Sequence, residues 1–317
     1  MIEIVAQSEG MREAVRLAER VAATDANVLV TGESGVGKDA IAYYIHSKSK
    51  RAGESFVKID CGTLPSGLLE AELFGYERGA FTGAAEDKPG RLEASHGGTL
   101  VLDEIAHLST DSQAKLLRVI ETREFERLGG RRTIKVDARL IALTNVDLDD
   151  AVKRQNFRED LYYRLHVVQI EVPPLRDRKE DLPELAQSFV KVYASKHGRP
   201  VTDISADALA LLSDYQFPGN VRELANIIER AVIVSSSVRL EVDDLPEPIR
   251  AAVNVQRLRI EPRTLAEIEA EYVAEVLAGA NGNKTEAARI LGISRKNLYE
   301  KLARQKKDET EDETRRH

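Results

Sequence analysis

A glycine-rich segment between an apolar run and a helix-compatible run carries the strongest chemical signal in the sequence. It consists of Gly32, Glu33, Ser34, Gly35, Val36, Gly37, Lys38 and Asp39. Glycines at this spacing let successive backbone N–H groups turn inward around a phosphate chain, while the helix dipole and Lys38 add positive potential. The segment predicts a nucleotide-phosphate site. The alternative is a glycine-rich turn with an incidental lysine.

A pair of carboxylates supplies the metal ligand that this phosphate loop lacks. Asp39 stands where a general phosphate loop has the Ser or Thr that contacts magnesium, so a second metal carboxylate is required. The apolar run Leu100–Leu102 ends in Asp103 and Glu104. We assign Asp103 to Mg²⁺, through a bound water, and Glu104 to orienting or deprotonating the water that attacks the γ-phosphate of a nucleotide. The alternative is an exposed acidic helix cap.

Two further polar side chains follow predicted strands. Asp60 ends the predicted strand that begins at Phe56, and Asn145 follows the strand 139–143. Open α/β sheets keep their sites at such strand ends. The amide of Asn145 can sense a γ-phosphate or its attacking water, although Asn before a loop is equally a turn former.

Arg158 and Arg164 lie six positions apart, so on one helix they point in different directions and serve different partners. Pairing with Glu159 and Asp160 on a solvated face is one interpretation. The other is a pair of arginine fingers offered to an adjoining subunit. The pattern alone favours the ion pairs.

A glycine-bracketed tip follows a predicted helix that ends near Phe74. It contains Gly79, Ala80, Phe81, Thr82, Gly83 and Ala84. An aromatic side chain between flexible glycines costs ordering entropy unless it is buried or reserved for a partner. Burial is the ordinary outcome, and the residues alone leave both possibilities open.

The composition limits what kind of chain positions these residues. The 317 residues, 42% of them hydrophobic, suffice for about two domains and a small third module. A net charge of −7 excludes a surface that is basic all over, so any contact with nucleic acid must come from a local patch. Cys61 is the only cysteine, which fits a reducing compartment, and no apolar run suits a membrane span or leader. We expect a cytoplasmic protein with no membrane contact.

Periodicity predicts an α/β core with a parallel sheet over residues 1–172, which begins with an amphipathic helix over 10–23. Residues 173–245 read as a small all-helical domain, in which Arg222 lies near the start of a helix. A proline-containing linker follows over 246–263. A last module is expected over 264–304, and a disordered tail over 305–317.

The last module reads as helix, glycine turn, helix, with Ser294 placed to cap the second helix. Basic residues outnumber acidic ones there, which predicts a DNA-binding helix-turn-helix rather than an ordinary helical hairpin. The candidate DNA-binding residues are Lys284, Arg289, Ser294, Arg295, Lys296, Asn297, Tyr299 and Lys301.

Together, the tip at 79–84, the phosphate loop and the pair Asp103–Glu104 resemble the ATPase core of bacterial enhancer-binding proteins, the activators of sigma-54 RNA polymerase. The resemblance extends from about Ile4 to Leu302. It implies an AAA+ ATPase core, a helical lid and a Fis-type helix-turn-helix, with ATP and Mg²⁺ as cofactors and enhancer DNA and sigma-54 RNA polymerase as partners. It also implies a hexameric ring that remodels the closed promoter complex, and a dimer when inactive.

The resemblance also assigns roles to single residues. Phe81 and Thr82 resemble the tip of the loop that grips sigma-54, and Arg158 and Arg164 resemble trans-acting arginine fingers. Asn145 is similar to the first nucleotide sensor of the family, and Arg222 to the second.

The sequence departs from the family pattern in two respects. Asp60 replaces the asparagine that usually holds the catalytic glutamate between states, so its charge is expected to repel Glu104. No receiver domain is expected before the core, so control would come from a separate protein unless the chain is a fragment.

Two other functions remain open. One is a DNA-binding regulator with an ATP-responsive oligomerisation domain, and the other is a replication-initiator or helicase-loader ATPase, which has no use for the loop at Phe81.

Overall fold

The structure is a computed structural model that describes residues 4–247, 249–251, 265–280 and 282–302. The chain divides into two compact units, one ending at Arg250 and one beginning at Ala251. The expected tail over 305–317 and most of the expected linker over 246–263 lie outside the described residues.

The strands of the first unit supply one large sheet and three small ones. They are β1 (Val28–Thr31), β2 (Phe56–Asp60), β3 (Gly75–Tyr76), β4 (Lys88–Pro89), β5 (Thr99–Asp103), β6 (Glu124–Glu126), β7 (Thr133–Lys135), β8 (Arg139–Thr144), β9 (Val168–Glu171), β10 (Asp203–Ile204) and β11 (Arg239–Leu240). Five of these strands form a parallel sheet in the order β2-β5-β8-β1-β9. This sheet confirms the predicted α/β class. The sequence analysis did not predict β9, the strand at one edge.

The α-helices described over residues 4–246 surround the sheet or follow it. They are α1 (Glu9–Ala22), α2 (Lys38–Ser47), α3 (Ser66–Phe74), α4 (Arg91–Ala94), α5 (Thr110–Thr122), α6 (Leu148–Lys153), α7 (Glu159–Leu165), α8 (Leu182–His197), α9 (Ala206–Asp214) and α10 (Asn220–Val234). Helix α5 begins at Thr110, where the Ser109 hydroxyl accepts the Ser112 N–H and caps it. One boundary differs from expectation, since Arg158 precedes α7 and is not part of it.

The sheet is covered on both faces. Alternation along β1 sends Val28 and Val30 into the apolar cluster formed with α1 and α2, and sends Leu29 into the cluster formed with α3, α5 and α7. Every residue of β8 is buried. Strands buried on both faces read as continuous apolar runs, which is why they were visible in the sequence.

Helices α8, α9 and α10 form the helical lid, which has an apolar core of its own. The second unit contains α11 (Leu265–Gly279), α12 (Lys284–Ile290) and a helix over 295–302, α13. Its buried residues are Val273, Ala287, Ala288 and Leu298. The predicted helix-turn-helix is confirmed, and the Ser294 hydroxyl caps α13 by accepting the Asn297 N–H at 3.2 Å. In the described part of the chain, no helix is both long enough and apolar enough to cross a membrane.

Candidate nucleotide site and partner surfaces

Parallel pairing brings the predicted chemical residues to one edge of the sheet. Asp60 at the end of β2 lies in register with Asp103 at the end of β5, and Thr31 at the end of β1 lies in register with Thr144 of β8. A cleft of about 200 Å³ opens at this edge. It is lined by Ser34, Gly35, Gly37, Lys38, Asp39, Asp103, Glu104 and Arg222.

Lys38 organises the first half of the phosphate loop. Its ammonium group donates to the carbonyl oxygens of Gly32 at 2.8 Å and Glu33 at 3.1 Å. The side chain is 7% exposed and lies 4.0 Å from the Glu104 carboxylate. Burial lowers the pKa of Lys38, and the charges of Glu104 and Asp103 oppose that shift.

Donors from beyond the sheet hold the second half of the loop. Ser34 O accepts from Asn220 Nδ2 at 3.1 Å, Gly35 O from the Arg222 N–H at 3.2 Å, and Val36 O from Arg178 Nη2 at 2.5 Å. Five consecutive carbonyl groups, from residue 32 to residue 36, therefore already have donors. The hydrogen-bonding groups of the loop that remain for an anion are its N–H groups.

Gly35 is required by this arrangement. Its φ is +79°, and a Cβ atom added there would lie 2.4 Å from the carbonyl oxygen of Gly219, just before α10. Any side chain would push the lid away from the loop.

The Glu33 carboxylate fastens the loop to the lid rather than pointing into the cleft. Arg176 donates to it at 2.9 and 2.5 Å, and Asn220 Nδ2 at 3.0 Å. Chiefly through the Arg176 hydrogen bonds, this lowers the pKa of Glu33 to about 2. Asn220 is fully buried, with a φ of +52°.

Sequence reasoning missed Arg176, Arg178 and Asn220. The sequence Pro-Gly-Asn at 218–220 indicates the start of a helix, but no local pattern marks Asn220 as a neighbour of residue 34.

Asp103 and Glu104 turn into the cleft from the end of β5. Asp103 Oδ1 accepts the Glu104 N–H at 3.0 Å. Glu104 has a φ of +52°, a left-handed conformation that is uncommon for a residue with a side chain. Its Oε2 accepts the backbone N–H of Asn145 at 3.3 Å. The main chain of Asn145 therefore orients Glu104, and the role of its side-chain amide as a nucleotide sensor stays a prediction.

Asn145 also lines a second cleft of about 480 Å³, which opens beside the phosphate loop and includes Glu33 and Arg176. Asp60 uses its carboxylate locally, because Oδ1 accepts the Gly62 N–H at 2.8 Å. This bond defines the turn after β2.

The carboxylates fit a magnesium ion that is shared with a nucleotide. Asp39 and Asp103 line one cleft, and carboxylate oxygens are the ligands that Mg²⁺ prefers. Among the described residues, no group of three or more His, Cys, Asp or Glu side chains is arranged to hold a metal alone. Two carboxylates completed by phosphate oxygens is a usual arrangement for Mg²⁺ in nucleotide sites. Lys58, which sequence reasoning missed, donates to both carboxylates.

The two candidate arginine fingers are exposed and form ion pairs. Arg158 donates to Asp160 at 3.0 and 2.7 Å, as one interpretation of the sequence predicted. Arg164 pairs instead with Glu121 of α5 at 3.0 Å. Neither arginine lines the 200 Å³ cleft of its own chain.

The glycine-bracketed tip lies between β3 and β4, which form a two-stranded sheet of their own. Phe81 is 41% exposed, and its ring meets that of Tyr76 edge-on, with centroids 5.0 Å apart. The base of the tip is anchored to the loop between β6 and β7, because Glu77 N–H donates to Leu128 O and Leu128 N–H to Gly75 O. Ala84 is buried and accepts the Gly79 N–H at 2.9 Å, which closes the tip.

The candidate DNA-binding residues differ in how they are held. Arg289 pairs with Glu286, Lys301 pairs with Glu269, and the Lys284 ammonium lies 4.7 Å from the centre of the Tyr299 ring. At the start of α13, Ser294, Arg295, Lys296 and Asn297 are all exposed. Among the described residues, neither Arg295 nor Lys296 has an ion-pair partner, so the exposed cations cluster at the start of that helix.

Three family models match successive parts of the chain. The model described as "Sigma-54 interaction domain" matches residues 4–171, "AAA+ ATPase lid domain" matches 176–259, and "Bacterial regulatory protein, Fis family" matches 264–304.

Characterised proteins match across all three parts. The chain is similar to the regulatory protein AtoC of Escherichia coli (46% identity over 307 residues, covering 94% of this chain and 67% of that protein). It is also similar to the transcriptional regulatory protein FlbD of Caulobacter vibrioides (43% over 315 residues, 94% and 69%). Crystal structures of NtrX from Brucella abortus with ATP and with ADP are 36% identical in sequence, with TM-scores of 0.70 and 0.71. Each covers 96% of this chain and 69% of NtrX.

Proposed function

Since the chain belongs to the family of sigma-54-dependent transcription activators, which are ATPases with a Fis-type helix-turn-helix, we propose that it acts at enhancer DNA. There it uses ATP hydrolysis to convert closed promoter complexes of sigma-54 RNA polymerase into open ones. One observation carries the proposal. Lys38, both metal carboxylates, Glu104 and Arg222 line a single cleft beneath the phosphate loop.

The loop binds the triphosphate of ATP through its free N–H groups and through Lys38, which needs little rearrangement to reach an anion. Arg222 approaches from the lid, where Nη1 already lies 3.0 Å from Ser34 Oγ. Nucleotide binding therefore adds a phosphate contact to a lid that already lies against the loop.

Glu104 orients and deprotonates the attacking water. The strained backbone and the Asn145 N–H hold its carboxylate in the cleft, 4.0 Å from the Lys38 ammonium group that would bind a phosphate. Mg²⁺, when bound, neutralises charge on the phosphate oxygens, and Asp39 and Asp103 would hold it.

Hydrolysis requires a neighbouring subunit in this proposal. Arg158 and Arg164 lie outside the cleft of their own chain and exchange their exposed ion pairs for the phosphates of the adjoining subunit. The active assembly is then a homohexameric ring, and the inactive form a dimer.

The output is mechanical. The tip at Phe81 contacts sigma-54, and the residues at the start of α13 contact enhancer DNA, with Arg295 and Lys296 in the major groove. DNA and polymerase as partners place this work in the cytoplasm.

A purified transcription system tests the proposal. The chain, sigma-54 RNA polymerase, ATP and a promoter with an enhancer are expected to yield open complexes, and no open complexes should form when ATP is replaced by a non-hydrolysable analogue. Oligomerisation by ATP without open complexes would support the alternative of a regulator that does not act on sigma-54.

A further inference from the structure

Lys58 lies between the two proposed metal carboxylates. Its Nζ is 2.5 Å from Asp39 Oδ1 and 2.8 Å from Asp103 Oδ2. The residue belongs to β2, whose alternation places Ile59 in the core below the sheet and leaves Lys58 on the opposite face with Asp60. One ammonium group thus bridges a carboxylate on α2 and a carboxylate at the end of β5.

This bridge occupies the two carboxylates that would hold a divalent cation. An ammonium group and Mg²⁺ both bind carboxylate lone pairs, and a doubly charged ion next to the lysine would also be repelled by it. The two cations therefore compete for Asp39 and Asp103. Because 36% of the Lys58 side chain is exposed, the displaced ammonium group has solvent to move into.

The lysine also explains how this phosphate loop tolerates Asp39. A Ser or Thr at that position brings no charge, whereas Asp39 adds a carboxylate beside Asp103 and Glu104. Lys38 interacts with the charges of Glu104, Asp103 and Asp39 together, but its hydrogen bonds go to Gly32 and Glu33. Lys58 is the cation that pairs directly with Asp39.

We propose that Lys58 is a resident counter-ion that holds Asp39 and Asp103 in place and is exchanged for the divalent cation when the metal–nucleotide complex binds. Lys58 is then a positioning residue that sets how strongly magnesium promotes nucleotide binding. The inference rests on the proposed nucleotide site but does not require hydrolysis.

The test measures binding instead of activity. A fluorescent ADP analogue is titrated in excess EDTA and again in saturating Mg²⁺. The Kd in EDTA divided by the Kd in Mg²⁺ is the ratio that reports the coupling between metal and nucleotide. In Lys58→Met, which keeps the apolar stem, this ratio should rise at least about threefold because the metal no longer displaces an ion pair. Lys58→Arg should stay near the parent value.

Two further variants sharpen the result. In Lys88→Met, which removes a lysine paired with Glu72 away from the cleft, the ratio should not change. In Asp39→Ser, removal of Lys58 should have a smaller effect than in the parent, because one of its two partners is gone.

An unchanged or smaller ratio in Lys58→Met, with normal nucleotide binding, would overturn the counter-ion role and leave the proposed function standing. A parent protein that binds no nucleotide in either buffer would overturn both.

Discussion

The phosphate loop and the tip at Phe81 are both bracketed by glycines, but their surroundings differ. In the phosphate loop, five successive carbonyl groups have donors, and Gly35 packs against the lid so closely that no Cβ fits. In the tip, a Cβ at Gly79 or Gly83 would meet nothing within 4 Å, and Phe81 rests on a single ring. Glycine permits close approach in the first loop and a free backbone in the second. The first is built to hold a ligand, and the second to change its contacts.

The largest expected effect is on ATP hydrolysis in the cleft, and the substitution leaves the tip unaltered. Glu104→Gln should lower the ATPase rate about 10²- to 10⁴-fold, because the water loses its base. Nucleotide affinity should stay near that of the parent, as measured by titration with a fluorescent nucleotide. Lys38→Ala is the comparison, since removing the cation should abolish binding itself. Weak nucleotide binding by Glu104→Gln would show that the glutamate holds the loop rather than the water.

A matched pair of glycine substitutions tests the comparison directly. Gly35→Ala should lower the free energy of unfolding by about 3 kcal/mol, because backbone strain adds to the clash with Gly219 O. Gly83 has a φ of +107°, but there is open space for a Cβ atom. We therefore expect Gly83→Ala to lower the free energy of unfolding by only about 1 kcal/mol, from backbone strain. Urea unfolding measures both values. Equal losses would mean that the lid yields to the added methyl group and does not clamp the loop.

The carboxylate that ties the loop to the lid makes part of the stability depend on pH. Because the pKa of Glu33 is lowered to about 2 in the folded chain, its contribution is present above its ordinary pKa of 4.5 and is lost as the pH falls toward 2. After allowance for solvent screening, we expect about 1 kcal/mol. Unfolding of the parent and of Glu33→Gln, followed from pH 7 to pH 2, should differ at neutral pH and converge in acid. A constant gap would exclude Glu33 as the source.

The smallest expected effect on stability belongs to Phe81→Ala. A side chain that is 41% exposed and packs against one ring should contribute less than about 1 kcal/mol to folding. ATPase activity and DNA binding should persist, while binding to sigma-54 in the presence of a transition-state nucleotide analogue is lost. Thermal unfolding measures the change in stability, and open-complex assays measure the loss of action on sigma-54 RNA polymerase. A loss of 3 to 5 kcal/mol would instead indicate a core residue.

Local sequence patterns were enough to predict residues that line the cleft and one that caps a helix. The glycine spacing before Lys38, the apolar run that ends in Asp103 and Glu104, and the cap at Ser294 each depend on neighbours within a few positions, where backbone geometry is set locally. The same logic predicted four of the five sheet strands. It missed β9, a short strand with one fully buried side chain, Ile170.

Only the tertiary structure decided what surrounds those residues. Asn220 reaches Ser34 across 186 positions of sequence, and Arg176 reaches Glu33 across 143. Lys58 meets Asp103 because β2 and β5 are adjacent in the sheet, and Arg164 meets Glu121 because α7 packs beside α5. The sequence around an Asn, Lys or Arg does not indicate the distant partner of that side chain, because its donors suit any acceptor that folding brings near. The partner is selected by strand order and helix packing, which bury the apolar faces first and leave each polar group to the neighbour it then meets.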